Sequence, residues 1–182
     1  ENYMEVLEVE FSSDEYTFST AKATTLGVNT KYHEGPLWIT SDNKTIYFTR
    51  NDYNPGIKGK DVGYDNYRIV NLKIYKADLN GTMISNIIEL PFNSSDYSCG
   101  HPVFDEHNQV LIFVSDRPGG FGETDLWYSK YNNGQFEEPL NFGDMINTNG
   151  KETFPYVDAE ALFYFASNGH GGLGGLDIFS SK

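Results

Sequence analysis

The feature that most constrains this chain is a stretch it carries twice. Ser-Asp-Arg-Pro-Gly-Gly-Phe-Gly-Glu-Thr-Asp-Leu-Trp runs from Ser115 to Trp127, and Ser-Asn-Gly-His-Gly-Gly-Leu-Gly-Gly-Leu-Asp-Ile-Phe runs from Ser167 to Phe179. Each copy follows a short apolar run, Val110 to Val114 or Leu162 to Ala166, rich in the β-branched and aromatic residues that strands favour. The unit is therefore strand, glycine-rich loop, Asp, strand. Gly119, Gly120 and Gly122 in one copy, and Gly171, Gly172 and Gly174 in the other, are expected to supply positive φ in a tight loop. Asp125 and Asp177 close the loops and are expected to be structural, accepting bonds from backbone N–H groups left unpaired by the turn.

The copies belong to a longer repeat of about fifty residues. Pro102 and Pro155 stand 53 positions apart, and at that offset Asn71 to Pro102 lies without gaps on Thr124 to Pro155. Leu72 then falls at the position of Asp125, so the Asp-anchored turn is absent from the first full unit. At an offset of 118, Phe18 lies on Phe136 and Val28-Asn29-Thr30 on Ile146-Asn147-Thr148. The expected division is 1–30 as the end of a unit with two strands, 31–95 and 96–148 as four-stranded units, and 149–182 as an incomplete one.

Four antiparallel strands recurring at this period predict an all-β protein, a β-propeller of four-stranded blades each burying two faces against its neighbours. Composition agrees: 13 Tyr, 13 Phe and 18 Gly are what sheets with frequent turns need. Two whole units and two part-units fall short of the usual ring of about four to eight blades. The chain reads as a partial ring, part of a larger propeller, that exposes apolar faces at its ends unless something covers them.

The sequence from Ser115 to Trp127, with Pro139-Leu140-Asn141-Phe142-Gly143, Ile146-Asn147-Thr148, Glu152 to Pro155 and Ser167 to Phe179, resembles the WD40-like PD40 repeat of TolB-type propellers. Its flavour is that of OmpA-family envelope proteins. The resemblance covers about residues 31–182 and implies a non-catalytic scaffold, periplasmic or associated with the outer membrane, whose partners are other envelope proteins. In some members of the family it serves type IX secretion or gliding machinery. Peptidoglycan binding belongs to an OmpA-like domain not present in this sequence.

A formal net charge of −13 repels phosphate backbones, which argues against a nucleic-acid partner. No apolar run is long enough to span a bilayer. Cys99 has no partner for an intrachain disulfide and reads as a small buried residue. His33, His101, His107 and His170 show no metal-ligand spacing, and no Gly-x-Ser-x-Gly occurs. The reading is thus no enzyme and no cofactor. The alternative is a glycan-binding module or a glycoside hydrolase of propeller fold, with two carboxylates held roughly 5–10 Å apart. Asp42, Asp105, Glu152 and Asp158 are the acids on offer, although Asp105 and Asp158 recur at matching positions before turns, as a fold requirement would.

Residues 51–70 replace the glycine-rich loop with a longer one. Excess loop length is often functional, so partner contacts are assigned to Tyr53, Tyr64, Asp65 and Tyr67. Asp61, Asp65 and Asn66 offer some of the oxygens a calcium ion needs, but EF-hand spacing is absent, an Asn/Asp/Gly loop is more often only a loop, and no metal site is assigned.

Overall fold

The computed structural model describes residues 5–14, 17–30, 33–51 and 70–182, and among these it is all β. The strands are β1 (Leu7–Glu8), β2 (Phe11–Ser12), β3 (Thr17–Phe18), β4 (Lys22–Ala23), β5 (Glu34–Ile39), β6 (Thr45–Asn51), β7 (Leu72–Asn80) and β8 (Met83–Glu89). There follow β9 (Cys99–Asp105), β10 (Val110–Ser115), β11 (Asp125–Asn132), β12 (Gln135–Phe136), β13 (Leu140–Asn141), β14 (Glu152–Val157), β15 (Phe163–Ser167) and β16 (Asp177–Ser181). They form three main antiparallel sheets, ordered β5-β6-β7-β8, β9-β10-β11-β12 and β14-β15-β16.

Burial follows strand position. β10 in the second sheet is buried along nearly its whole length, because both of its faces meet another layer, whereas β8 at the edge of the first is almost wholly exposed. Asn133 and Gly134, both at positive φ, make the tight turn between β11 and β12.

Three expected strands are interrupted. The fourth strand of the second unit is split into β12 and β13, which pair separately with β11. Pro139, between them, has no N–H to donate to the ladder. Both strands expected before residue 30 are broken in the middle, β1 pairing β4 as Leu7↔Ala23 and β2 pairing β3 as Phe11↔Phe18 in separate two-stranded sheets. The register slips by one between these pairs, and Ser19 N donates to Glu10 O across the gap.

Three cores fill the spaces between layers. Val28, Ile46, Phe48 and Ala77 join residues 6–28 to the first sheet. Tyr47, Ile74, Phe104, Leu111, Phe113 and Trp127 lie between the first and second sheets. Ile112, Val114, Leu126, Phe163 and Phe165 lie between the second and third. Burying each Phe, Leu or Ile contributes about 1.5–3 kcal/mol, so these interlayer cores hold the layers together.

Each sheet carries a bulge between its first and second strands, at Glu34/Leu37, Ile112/Val114 and Thr153/Tyr156. Pro36, Pro102 or Pro155 sits at each one. His101 and Phe154, immediately before the second and third prolines, adopt left-handed φ of 53° and 50°. In the first sheet Gly35 holds that place, where a Cβ would press on Thr49.

Candidate functional site

Register sets the correspondence between sheets. Ser115 lies opposite Cys99 and Asp125, Ser167 opposite Glu152 and Asp177, and Arg50 opposite Glu34 and Lys73. Lys73, rather than Leu72, therefore holds the Asp position of the first sheet; the segment from Glu89 to Cys99 is one residue shorter than its counterpart from Asn141 to Glu152, which shifts the correspondence by one residue. Lys73 Nζ pairs with Glu89 at 2.9 Å, where the second sheet places Asn141 Nδ2 3.0 Å from Asp125 Oδ2.

Asp125 is buried, and its carboxylate accepts from Phe121 N at 2.6 Å and Gly122 N at 3.2 Å. Asp177 accepts from Gly174 N at 3.3 Å. The glycines meet a different need from the one their spacing predicts. Gly119 and Gly174 do have positive φ, 93° and 116°, but Gly120, Gly122, Gly171 and Gly172 do not. A Cβ on Gly120 or Gly172 would overlap the carboxylate of Asp125 or Asp177, and one on Gly122 would overlap the carbonyls of Thr148 and Gly150. Close approach of backbone to these acceptors excludes a side chain there. At Gly171 nothing lies within 4 Å of such a Cβ.

Two repeated devices escape sequence spacing. Asn29, Asn93 and Asn147 each donate through Nδ2 and accept through Oδ1 on one backbone residue, Val6, Ile74 and Leu126 respectively, at 2.7–3.0 Å. Their shared signal is an apolar residue followed by Asn (Val28, Phe92, Ile146), but Asn93 falls opposite Ile146 at the 53-residue offset and is missed. The second device is the buried position held by Glu34, Cys99 and Glu152. Glu152 accepts from Thr148 N, Thr148 Oγ1 and Ser167 Oγ. Glu34 pairs with Arg50 Nε at 3.2 Å. At Cys99 the partner is Arg117, whose Nη2 lies 3.2 Å from Sγ and 3.1 Å from the carbonyl of Phe92, while its guanidinium packs among Tyr97, Phe113 and Trp127. Burial pushes the Cys99 thiol up, and the Arg117 charge opposes that shift.

At the opposite end, where first and second strands turn, a cleft of about 530 Å³ opens between the three sheets. Trp38 and Tyr156 form its aromatic walls, with ring centroids 6.1 Å apart. Asp105, Glu106, Asp158 and Glu160 supply its acids. Three of these already act as acceptors. Asp105 takes the N–H groups of His107 and Asn108, Asp158 those of Glu160 and Leu162, and Glu106 the N–H and hydroxyl of Ser41 in the first sheet. Three of the four cleft carboxylates are thus engaged within the fold. Asp42 likewise accepts from Thr40 Oγ1 and Lys44 N, and those bonds hold its carboxyl below the usual range.

The third sheet presents a different surface. Phe154, Tyr156, Leu176 and Ile178 are each about half or more exposed, and with Tyr164 and Ala166 they line an apolar groove of about 630 Å³. Among the histidines, His101 stacks on Phe154 with centroids 4.8 Å apart and bonds Thr153 Oγ1 through Nδ1, while His170 bonds the Ile146 carbonyl through Nε2. Tyr53, Tyr64, Asp65 and Tyr67, and with them Asp61 and Asn66, lie outside the described residues. Among the described residues no group of three or more His, Cys, Asp or Glu is placed to share a metal ion, and no helix is long and apolar enough to cross a membrane. Neither a family model nor a curated protein matches the sequence.

Proposed function

We propose that the three sheets are successive blades of a β-propeller, and that the chain is a non-catalytic protein-interaction scaffold of the bacterial cell envelope. The observation that carries the binding reading is the apolar face of the third sheet, where Ile178 is 79% exposed in a groove with few polar groups. Contiguous apolar surface of this kind is what protein partners cover. The engagement of Asp105, Glu106, Asp158 and Glu152 as acceptors argues against acid–base catalysis, since a general acid or base needs a carboxyl group free to exchange a proton with substrate. The envelope setting rests on the resemblance of the repeat alone.

The test is capture of partners from a bacterial envelope fraction by the tagged chain and by Ile178→Lys. Partners retained by the former and lost from the latter support the reading; identical capture by both overturns it. Glycan recognition keeps one observation in its favour, the Trp38 and Tyr156 walls beside acidic side chains, an arrangement suited to sugar rings. Loss of oligosaccharide binding in Trp38→Ala, measured by calorimetry, would establish that second reading.

A further inference from the structure

Asn-Gly occurs four times, at Asn80-Gly81, Asn133-Gly134, Asn149-Gly150 and Asn168-Gly169. In such a pair the glycine nitrogen can attack the asparagine side-chain amide, because no Cβ shields it. The attack needs two freedoms: a side chain able to bring Cγ beside that nitrogen, and an N–H not already held by an acceptor. The fold withholds one or both of these at three of the pairs.

The Gly150 N–H donates to Thr148 Oγ1 at 3.0 Å, while the Gly150 carbonyl accepts from Glu123 N. The Gly169 N–H donates to Ser167 Oγ at 3.0 Å, and the Asn168 amide is itself held, its Oδ1 accepting from Lys151 N at 2.6 Å. Asn133 is exposed, but its φ of 51° is left-handed and Gly134 follows at 82°. A left-handed residue has positive ψ as well, which turns the next nitrogen away from its own Cβ.

Asn80-Gly81 differs on each count. Asn80 is the last residue of β7, paired with Met83 and exposed at the tip of the β7–β8 hairpin. A strand backbone leaves the following nitrogen closer to the side chain than a left-handed one does. Among the described residues no hydrogen bond holds the Asn80 amide or the Gly81 N–H. Nothing lies within 4 Å of a Cβ built on Gly81, so the tip has room to move.

We propose that Asn80 is a site of spontaneous deamidation and that the fold spares the other three pairs. Gly81 N gives up its proton and bonds to Asn80 Cγ; the Cγ–Nδ2 bond breaks, and Nδ2 leaves as ammonia with that proton. Water then opens the cyclic imide. Opening at Cγ leaves an aspartyl residue, whereas opening at the main-chain carbonyl leaves an isoaspartyl one, whose backbone runs through the side chain. Either product adds one negative charge to the chain. The isoaspartyl form also inserts a methylene into the turn that fixes the Asn80↔Met83 register, so it loosens β8 at the edge of the first sheet.

Peptide mapping by mass spectrometry, after incubation of the folded chain at mildly alkaline pH, tests it. The peptide holding Asn80 is expected to exchange its amide NH2 for OH and to take up isoaspartate-specific methyl label, while the other three pairs stay intact. In denaturant all four should convert at similar rates. The variant Asn80→Ser should abolish the more acidic band that isoelectric focusing shows in the aged wild type. An unmodified Asn80, or conversion at Asn133, Asn149 or Asn168 as fast as at Asn80 in the folded chain, overturns the proposal.

Discussion

The loop ending at Asp125 and the loop ending at Asp177 share a motif and differ in what lies over them. The first is roofed by the start of the next unit: Glu123 N donates to Gly150 O, Glu152 N to Thr124 O, and Gly122 lies against the carbonyls of Thr148 and Gly150. Asp125 is consequently buried with several donors, while Asp177 is half-buried with one bond at 3.3 Å. A motif's contribution to stability depends on its neighbour as much as on its own residues, because an acceptor matters most where water cannot replace it.

The largest expected effect comes from intruding on the roof. Gly122→Ala should cost about 3 kcal/mol, since the obstructing atoms are backbone rather than a movable side chain. Gly174→Ala, with open space but φ of 116°, should cost about 1 kcal/mol. Urea unfolding of the pair checks the ranking, and equal midpoints would contradict it. Next is Asp125→Ala, expected to cost about 1–3 kcal/mol through donors left unpaired. Asp177→Ala should stay within about 0.5 kcal/mol, as substitutions at lightly engaged surface sites do. Thermal unfolding that shifts equally in both would show that the roof is irrelevant.

A smaller effect is readable with pH at the same joint between sheets. Burial holds the His101 imidazole below its ordinary pKa of 6.5, so the unfolded chain binds the proton more readily than the folded one. The stability contributed by neutral His101 is complete above that ordinary value and is lost as pH falls through it toward the folded pKa. Part of the drop in urea midpoint between about pH 7.5 and pH 5.5 should therefore vanish in His101→Asn, a residue that tolerates left-handed φ. An undiminished drop would assign the pH dependence elsewhere. Smallest of all, Gly171→Ala should change the midpoint by less than about 0.5 kcal/mol, since nothing stands near and φ is not positive.

The order of strands in the second and third units was legible because long apolar runs such as Val110 to Val114 alternate with turn residues at a regular spacing. The donors to Asp125 were legible too, since an Asp at the end of a glycine-rich loop has few other acceptor roles open to it. The identity of Lys73 as the Asp equivalent was not, because a gap-free alignment anchored at Pro102 and Pro155 does not register the one-residue difference in length between Glu89–Cys99 and Asn141–Glu152. Nor was the engagement of Glu106 by Ser41, which joins residues 65 positions apart and depends on how two sheets meet. The cleft follows from tertiary packing that no local pattern encodes.

The Asn29, Asn93 and Asn147 amides have a mechanical consequence. Asn93 and Asn147 grip the opening of the third strand of the first and second sheets, and Asn29 grips Val6 just ahead of β1, each just before the chain departs for the next sheet. The point of departure is thereby pinned, so the pitch from one layer to the next is set by a local clamp repeated three times rather than negotiated along the whole interface. A chain built this way behaves as a staircase with identical brackets. Loosening one bracket, as Asn147→Ala would, should alter the tilt of a single step while leaving the steps themselves whole.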